Sequence, residues 1–186
     1  MSTQIEPLLT IADLDAMPDD GNRYEIIEGE LFVSCAPFLT HQRVSRNLFV
    51  RISNCLEQNP IGEVLATPGV IFSEFSGVIP DIVFISNERR GEIASAERIT
   101  GAPDLIIEIV SPGSENERRD RIAKRQLYGK YGVKEYWVVD PLQRTIEIYA
   151  RVGRNLKLRT MLREHDDLTT SLLPGFSCKV ADIFLF

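Results

Sequence analysis

Two strand openings of the same kind carry the carboxylates on which any chemistry of this chain would depend. The segments PDIVFIS, from Pro80, and PDLIIEIVSPGS, from Pro103, each place a Pro-Asp pair before an apolar, β-branched run typical of a buried strand. The second run contains Glu108 among apolar neighbours. An ionised carboxylate in such surroundings costs several kcal/mol unless a cation, a metal or hydrogen bonds compensate it. Glu108 therefore marks a candidate functional site.

Asp81, which opens the first of these strands, is the second candidate carboxylate. Alternation along the other strand puts Asp104, Glu108 and Val110 on one face, and Asp81 could lie nearby if the two strands pair. Converging carboxylates raise one another's pKa, and a divalent cation removes this conflict. Hard oxygen ligands favour Mg²⁺ or Mn²⁺, which would activate water and neutralise charge in phosphodiester hydrolysis. Pro-Asp is also an ordinary strand-entry pair, and Asp104 is expected to be structural.

A lysine close to these carboxylates would stabilise a hydroxide nucleophile or the charge of the transition state. The position two residues after Glu108 is Val110, so the strand itself supplies no lysine. Lys124, in the helix predicted to follow, is the best substitute, and Tyr128 lies one turn further on the same face. The alternative for Lys124 is an ordinary solvated helix residue. Other side chains are left open as site-lining or structural: Glu25, Glu28 and His41.

The elements that must position these residues alternate between helix and strand. We predict helices at 10–16, 40–57 and about 117–131, and strands at 24–27, 30–34, 63–66, 70–72, 82–86, 105–110, 135–140 and 145–150. Strands 105–110 and 135–140, with the helix between them, predict a parallel β-α-β crossover. In that helix Ile122, Leu127, Tyr128 and Tyr131 should face inward. The expected fold is a single α/β domain over 1–186, with a mixed β-sheet flanked by α-helices.

The charge distribution bears on the partner of this chain. A net charge of −6 weighs against a nucleic-acid partner, yet residues 116–134 hold seven of the 21 lysines and arginines. These seven are Arg118, Arg119, Arg121, Lys124, Arg125, Lys130 and Lys134. They predict contacts with phosphates, the alternative being a solvated helix face. There is no signal peptide, no membrane-length apolar run and no cysteine pattern for zinc or disulfides, which predicts a cytoplasmic protein.

Taken together, the motifs resemble a known family. The segments are RYEIIEGEL from Arg23, HQRVSRNL from His41, GAPDLIIEIVSPGS, D-R-x-x-K-x-x-x-Y from Asp120, GVKEYWVVDP and LLPGF from Leu172. In this order and spacing they resemble the Uma-two family of bacterial restriction endonucleases, within the PD-(D/E)XK nuclease superfamily. The match extends over nearly the whole chain.

The resemblance implies a restriction-endonuclease-like fold and a metal-dependent DNA endonuclease. Asp81 and Glu108 would bind Mg²⁺ or Mn²⁺ with the Ile109 carbonyl as a third ligand, Lys124 would be a migrated catalytic lysine, and Tyr128 would support Lys124. DNA is then the expected partner, and a homodimer is compatible with the superfamily. Two alternatives stay open: a catalytically inactive nucleic-acid-binding or regulatory module on the same fold, and an interaction protein whose carboxylates only form ion pairs with the arginines.

Overall fold

Strands and helices alternate along the chain in this computed structural model, which describes residues 7–113 and 118–186. The strands are β1 (Arg23–Ile27), β2 (Glu30–Ser34), β3 (Gly62–Ala66), β4 (Val70–Ser73), β5 (Ser76–Val78), β6 (Ile82–Ser86), β7 (Ile99–Thr100), β8 (Leu105–Ile109), β9 (Glu135–Asp140), β10 (Thr145–Val152), β11 (Asn155–Leu162), β12 (Asp167–Thr169) and β13 (Ser177–Lys179). The helices are α1 (Ile11–Asp15), α2 (Leu39–Gln58), α3 (Asn87–Ile93), α4 (Arg125–Tyr131) and α5 (Val180–Ile183), and a π-helical turn (Arg119–Lys124) runs into α4. The predicted α/β class is confirmed.

The larger sheet is mixed and has the strand order β11-β10-β9-β8-β6-β3. Its central strand β8 pairs in parallel with β9 and antiparallel with β6, so the predicted parallel crossover is present. Every residue of β8 is buried, because each face of the strand is covered by its own apolar cluster. Ile107 belongs to one cluster, while Ile106 and Val110 belong to the other. This burial explains why the β8 sequence is almost continuously apolar.

A second sheet of order β2-β1-β5-β4-β7 brings the N-terminal hairpin close to β8 and the following helix. The hairpin β1–β2 is present as predicted, whereas β5 and β7 were missed. β5 is three residues long and contains Gly77, which hides the alternation of a strand. A Cβ on Gly77 would lie 2.6 Å from the Ile11 Cδ1 atom, so the absence of a side chain lets α1 pack there.

The helix after β8 departs from the prediction in its first turns. Residue 117, where the helix was expected to begin, lies outside the described residues, and Arg119–Lys124 is π-helical. The wider π turn shifts which side chains face the core. Ile122, predicted to face inward, is 47% exposed, while Asp120 and Lys124 are buried in its place. The end of the helix is as predicted, with Gly132 at φ 108° as its C-terminal cap.

The other long helix and the core strands follow the sequence pattern closely. α2 buries an apolar stripe whose members recur every four residues, Val44, Leu48, Ile52 and Leu56. In β9, Tyr136 and Trp137 are fully buried core residues. The three cysteines are free. Among residues 7–113 and 118–186 no helix is long and apolar enough to cross a membrane.

Candidate active site

Asp81 lies at the entrance of β6 and is held by three donors. The backbone N–H of Ile109 donates to Asp81 Oδ2 at 2.8 Å, and His41 Nε2 lies 3.0 Å from Asp81 Oδ1. Arg23 Nη1 lies 3.4 Å from the same Oδ1. Burial alone would raise the pKa of Asp81, but the hydrogen bond and charge of His41, the Ile109 N–H and the Arg23 charge lower that pKa below its usual value. Asp81 is therefore an ionised carboxylate and a fixed one.

The ionised state of Asp81 also assigns the hydrogen on His41. An ionised carboxylate can only accept hydrogen bonds, so Nε2 of His41 must be the donor in the 3.0 Å contact. The second ring nitrogen, Nδ1, lies 3.5 Å from Ser111 Oγ. His41, which the sequence left open, is thus 7% exposed and part of the site.

Glu108, on the neighbouring strand β8, meets two donors from the following helix. Lys124 Nζ donates to Glu108 Oε1 at 2.9 Å, and Tyr128 OH donates to the same oxygen at 2.7 Å. Tyr128 and Lys124 thus share one acceptor oxygen, and the expectation that Tyr128 supports Lys124 stays a prediction. Burial raises the pKa of Glu108 to about 8, the Lys124 ammonium opposes this rise, and the carboxylates of Asp81 and others add to it.

Lys124 is enclosed by carboxylates from three different elements. Its ammonium lies 2.8 Å from Glu25 Oε1 on β1, 2.9 Å from Glu108 Oε1 and 3.9 Å from Asp120 Oδ1 in the π turn. Burial would lower the pKa of Lys124, but these carboxylates raise it above its usual value. The lysine is 1% exposed and carries a permanent positive charge at the base of the site.

Glu25 and Asp120 form a supporting layer behind these groups. Glu25 Oε1 accepts from the backbone N–H of Ile79 at 2.8 Å as well as from Lys124. Asp120 accepts from Arg119 Nε at 3.0 Å, and its backbone carbonyl accepts from Tyr136 OH at 2.8 Å. These contacts fix the π turn against the sheet and thereby fix the position of Lys124.

The site brings four buried carboxyl groups close to a few basic groups. The carboxyl groups are those of Glu25, Asp81, Glu108 and Asp120, and they face the side chains of Arg23, His41, Arg119 and Lys124. Burial raises the pKa of Asp120, and the charges of Lys124 and Arg119 oppose this rise. Repulsion among these carboxyl groups is relieved either by a proton on Glu108 or by a bound cation.

A pocket of about 260 Å³ opens onto these groups. Asp81, Glu108, Lys124 and His41 lie in its lining, and residues 33–38, which connect β2 to α2, form one wall. The hydrogen bonds that Glu108 receives from described residues both reach Oε1. Both donors come from the π turn and the helix that follows it.

The residues of this pocket fit a cation of the magnesium type. Among residues 7–113 and 118–186 no cluster of three or more His, Cys, Asp or Glu side chains is arranged to hold a metal ion. Mg²⁺, however, commonly binds through one or two carboxylates and keeps several waters. Asp81 and Glu108 supply two carboxylates in one pocket, and Ile109 lines the same pocket. This set of carboxylate and carbonyl oxygens matches a hard cation.

The other sequence candidates lie outside this pocket. Asp104 accepts from the Ser86 N–H at 2.8 Å and pairs with Lys134 at 2.6 Å, which is the structural role expected for it. Glu28 is exposed and pairs with Lys130 at 2.7 Å. His165 is also exposed, 3.4 Å from Asp166. Of the two undecided glutamates only Glu25 belongs to the site.

Most basic side chains in the described part of the segment are paired with neighbouring groups, and the contact of this segment with phosphates stays a prediction. Arg121 pairs with Asp140 at 2.8 Å and also with Glu147, so it neutralises acidic residues of the sheet. Lys124, Lys130 and Lys134 are likewise paired with carboxylates. Arg125 lies 5.1 Å above the ring of Tyr149. Besides Lys124, Arg118 and Arg119 are the members of the segment that line this pocket or the one beside it.

Sequence reasoning missed three residues of the site: Arg23, Arg119 as a buried partner of carboxylates, and Asp120. Arg23 lies in the motif RYEIIEGEL and Asp120 lies in the motif D-R-x-x-K. Both residues therefore belong to motifs that the sequence analysis used, but neither was given a role in the site. Each acts through a contact far away in sequence, Arg23 with Asp81 and Asp120 with Tyr136.

A solved structure shares this fold. The crystal structure described as "a putative nuclease belonging to DUF820", from Anabaena variabilis ATCC 29413, superposes with a TM-score of 0.75 at 18% identity. The match covers 95% of this chain and 97% of that chain. The two chains therefore share one fold, a mixed sheet flanked by helices, as predicted from the sequence.

The chain belongs to the Uma2 family, described as "Putative restriction endonuclease", which matches residues 11–181. A comparison with curated protein sequences gave no significant match. The family resemblance drawn from the motifs is confirmed.

Proposed function

We propose that this chain is a metal-dependent DNA endonuclease whose active site is the pocket containing Asp81, Glu108 and Lys124. Asp81 and Glu108 would bind Mg²⁺ or Mn²⁺, with the Ile109 carbonyl as a third ligand. We further propose that residues 1–186 form a single nuclease domain, which the family match over residues 11–181 supports.

The observation that carries this proposal is the convergence of two strand carboxylates and a helix lysine in one pocket. Lys124 Nζ lies 2.9 Å from Glu108 Oε1, and both residues line the pocket with Asp81. Two carboxylates and a lysine are the side-chain types named by the PD-(D/E)XK pattern. Here the lysine comes from the helix, since Val110 occupies the strand position.

Each group would have a distinct task in phosphodiester hydrolysis. A bound divalent cation lowers the pKa of water and neutralises charge on the scissile phosphate. The Lys124 ammonium orients the attacking water and stabilises negative charge that develops in the transition state. His41 and the Ile109 N–H hold Asp81 with its oxygens fixed, so little reorganisation is needed. Arg23, whose side chain is 25% exposed, is placed to contact a phosphate.

Nicking of supercoiled plasmid in Mg²⁺ or Mn²⁺ tests the proposal. Asp81→Asn should abolish nicking because it removes one of the two ligands. Asp104→Asn is the matched control, since Asp104 is the aspartate of the other Pro-Asp strand opening but lies outside the pocket. The Asp104 variant should nick at the wild-type rate under conditions where it is folded.

Two outcomes would decide against the proposal. Metal-independent nicking, or equal nicking by wild type and Asp81→Asn, would place the activity elsewhere or in a contaminant. DNA binding by a wild type that never cleaves would favour the inactive binding module on the same fold.

A further inference from the structure

Three adjacent pockets form a continuous groove that passes over the candidate active site. The central pocket shares Val33 and Arg119 with a pocket of about 490 Å³ on one side. It shares Phe38 and His41 with a pocket of about 170 Å³ on the other side. We call this the three-pocket groove.

Exposed apolar side chains line the three-pocket groove on both sides of the carboxylates. Ile122 (47% exposed) and Val33 (51%) lie on the larger side, and Phe38 (64%) and Leu142 (75%) lie on the smaller side. These four are among thirteen large hydrophobic residues that are exposed in the described part of the chain. Single exposed apolar residues need no explanation, but four along one groove indicate a ligand with apolar faces.

The groove also contains arginines beside the carboxylates of the site, and these arginines would contact an anionic ligand. Arg118 and Arg119 line the larger pocket, and Arg23 and Arg119 line the central one. A chain of negative charges with flat apolar groups is the chemistry of a nucleic-acid strand whose bases are unpaired. Such strands bind by combining basic groups for the backbone with side chains on which bases stack.

The depth of the catalytic groups favours an unpaired strand over a duplex. Asp81 and Glu108 are each 3% exposed and Lys124 is 1% exposed, so they lie at the bottom of the central pocket. In a duplex the bases are stacked inside a stiff cylinder and cannot contact apolar walls beside the scissile phosphate. An unpaired strand can bend into the groove and place its bases against Phe38 and Ile122.

Resting on the proposed function, we infer that the substrate is DNA that is unpaired at the cleavage site, bound along the three-pocket groove with a base stacked on Phe38. Phe38 immediately precedes α2 and is 64% exposed, so its ring is accessible to a base in the groove. The inference thus assigns a binding role to a side chain that the catalytic proposal does not use.

The test compares one sequence in three forms: a single strand, a blunt duplex, and a duplex with unpaired arms. Binding is measured by fluorescence anisotropy in a Glu108→Gln background, and cleavage is measured with Mn²⁺ in the otherwise wild-type chain. Single strands and duplexes with unpaired arms should be cleaved at least about tenfold faster than the blunt duplex. A tenfold ratio corresponds to a free-energy difference of about 1.4 kcal/mol between the two kinds of substrate. Phe38→Ala should weaken single-strand binding about fivefold or more, as expected for loss of one stacked base. Phe38→Trp should restore it.

Phe75→Ala is the matched control, because Phe75 is also exposed (37%) but lines none of the three pockets. Binding unaffected by Phe38→Ala, or lost equally in the Phe75 variant, would overturn the inference. So would a blunt duplex bound and cleaved as well as the single strand. Neither result would contradict the proposed metal-dependent nuclease activity. That proposal fails separately, if wild type and Asp81→Asn nick DNA at the same rate. The binding comparison decides the inference even if no DNA is cleaved.

Discussion

Lys124 and Glu108 stand sixteen positions apart, yet the lysine ammonium lies 2.9 Å from Glu108 Oε1. The contact joins the central strand β8 to the helix that follows it in the parallel crossover. Val110, two residues after Glu108, is 5% exposed and packs in the same apolar cluster as Tyr128. The helix therefore delivers a charge that the strand cannot carry at Val110 without disrupting that cluster.

Lys124→Met should abolish most of the cleavage activity while leaving metal affinity intact. The change removes the ammonium and keeps an unbranched apolar stem in the buried position. We expect a loss of about 10²-fold or more in kcat, as for other single electrostatic groups in active sites. Lys134→Met is the control, because Lys134 also pairs with a buried aspartate, Asp104, away from the pocket. Full activity in the Lys124 variant would make this lysine a structural residue.

Adding Val110→Lys to the Lys124 variant should recover part of the activity. Alternation along β8 puts residue 110 on the face of Glu108, so a lysine there approaches the same carboxylate from the strand. Recovery should be incomplete, since a charge replaces a packed apolar side chain. The readout is the nicking rate of the double variant relative to Lys124→Met at equal folded fraction. A double variant that is folded but nicks DNA no faster than Lys124→Met would show that a lysine at position 110 cannot replace Lys124.

Metal binding should stabilise the fold through Asp81 and Glu108. At a metal concentration of 100 times Kd the gain is about 2.7 kcal/mol, which corresponds to about 5–11 °C in Tm for a chain of this size. Asp81→Asn and Glu108→Gln should each remove the gain, and Asp104→Asn should keep it. Thermal unfolding during a manganese titration measures it. An unchanged response in both site variants would refute the metal assignment.

Metal affinity should depend on pH through Glu108. Its pKa is raised to about 8, chiefly by burial, whereas the pKa of Asp81 is lowered, so Glu108 is the group that must lose a proton on binding. Affinity should fall by about tenfold for each pH unit below 8, since one proton competes with the metal. Calorimetric titration with Mg²⁺ between pH 6 and 8 measures this slope. A pH-independent Kd over that range would be inconsistent with a buried protonated Glu108.

The same shift sets the stability of the metal-free protein. The pKa of Glu108 is higher in the folded chain than in the unfolded chain, so the protonated carboxyl contributes stability at low pH. That contribution is lost as the pH rises through the folded pKa of about 8. Glu108→Gln should therefore gain stability relative to wild type between pH 6 and 9. Denaturant unfolding at these two pH values checks the sign.

Glu25→Gln should reveal that Glu25 positions Lys124. The amide keeps a hydrogen-bond acceptor near Lys124 Nζ, 2.8 Å away in the wild type, but removes a charge that raises the pKa of Lys124. We expect kcat to fall by about tenfold with unchanged metal affinity, measured from the nicking rate and from a manganese titration. Glu28→Gln, on the exposed end of the same hairpin, is the control. A wild-type kcat in a Glu25→Gln variant of reduced thermal stability would show that Glu25 acts only on stability.

The sequence was sufficient to predict the part of the site that local patterns encode. Asp81 and Glu108 fall on strands recognisable by composition, and β6 and β8 prove to be neighbours. Lys124 was chosen because its helix must cross back over the sheet between β8 and β9. These inferences need only strand alternation, helix periodicity and the rule for parallel crossovers.

The remaining features depend on contacts that no local pattern contains. Glu25 reaches Lys124 because β1 belongs to a second sheet that packs beside the helix. Ile122 turned outward because the π turn changes the helical periodicity on which the prediction relied. Arg121 was counted as a free positive charge, although Asp140 and Glu147 on neighbouring strands neutralise it.

Anomalous diffraction from a crystal soaked in Mn²⁺ tests the central claim most directly. The account predicts a manganese peak between Asp81 and Glu108, about 2.0–2.2 Å from carboxylate oxygens of both residues, with waters in the remaining positions. The same soak of Asp81→Asn should show no peak there. A wild-type crystal in which manganese binds only elsewhere, with the Lys124–Glu108 ion pair intact, would contradict the claim that this pocket is a metal-dependent active site.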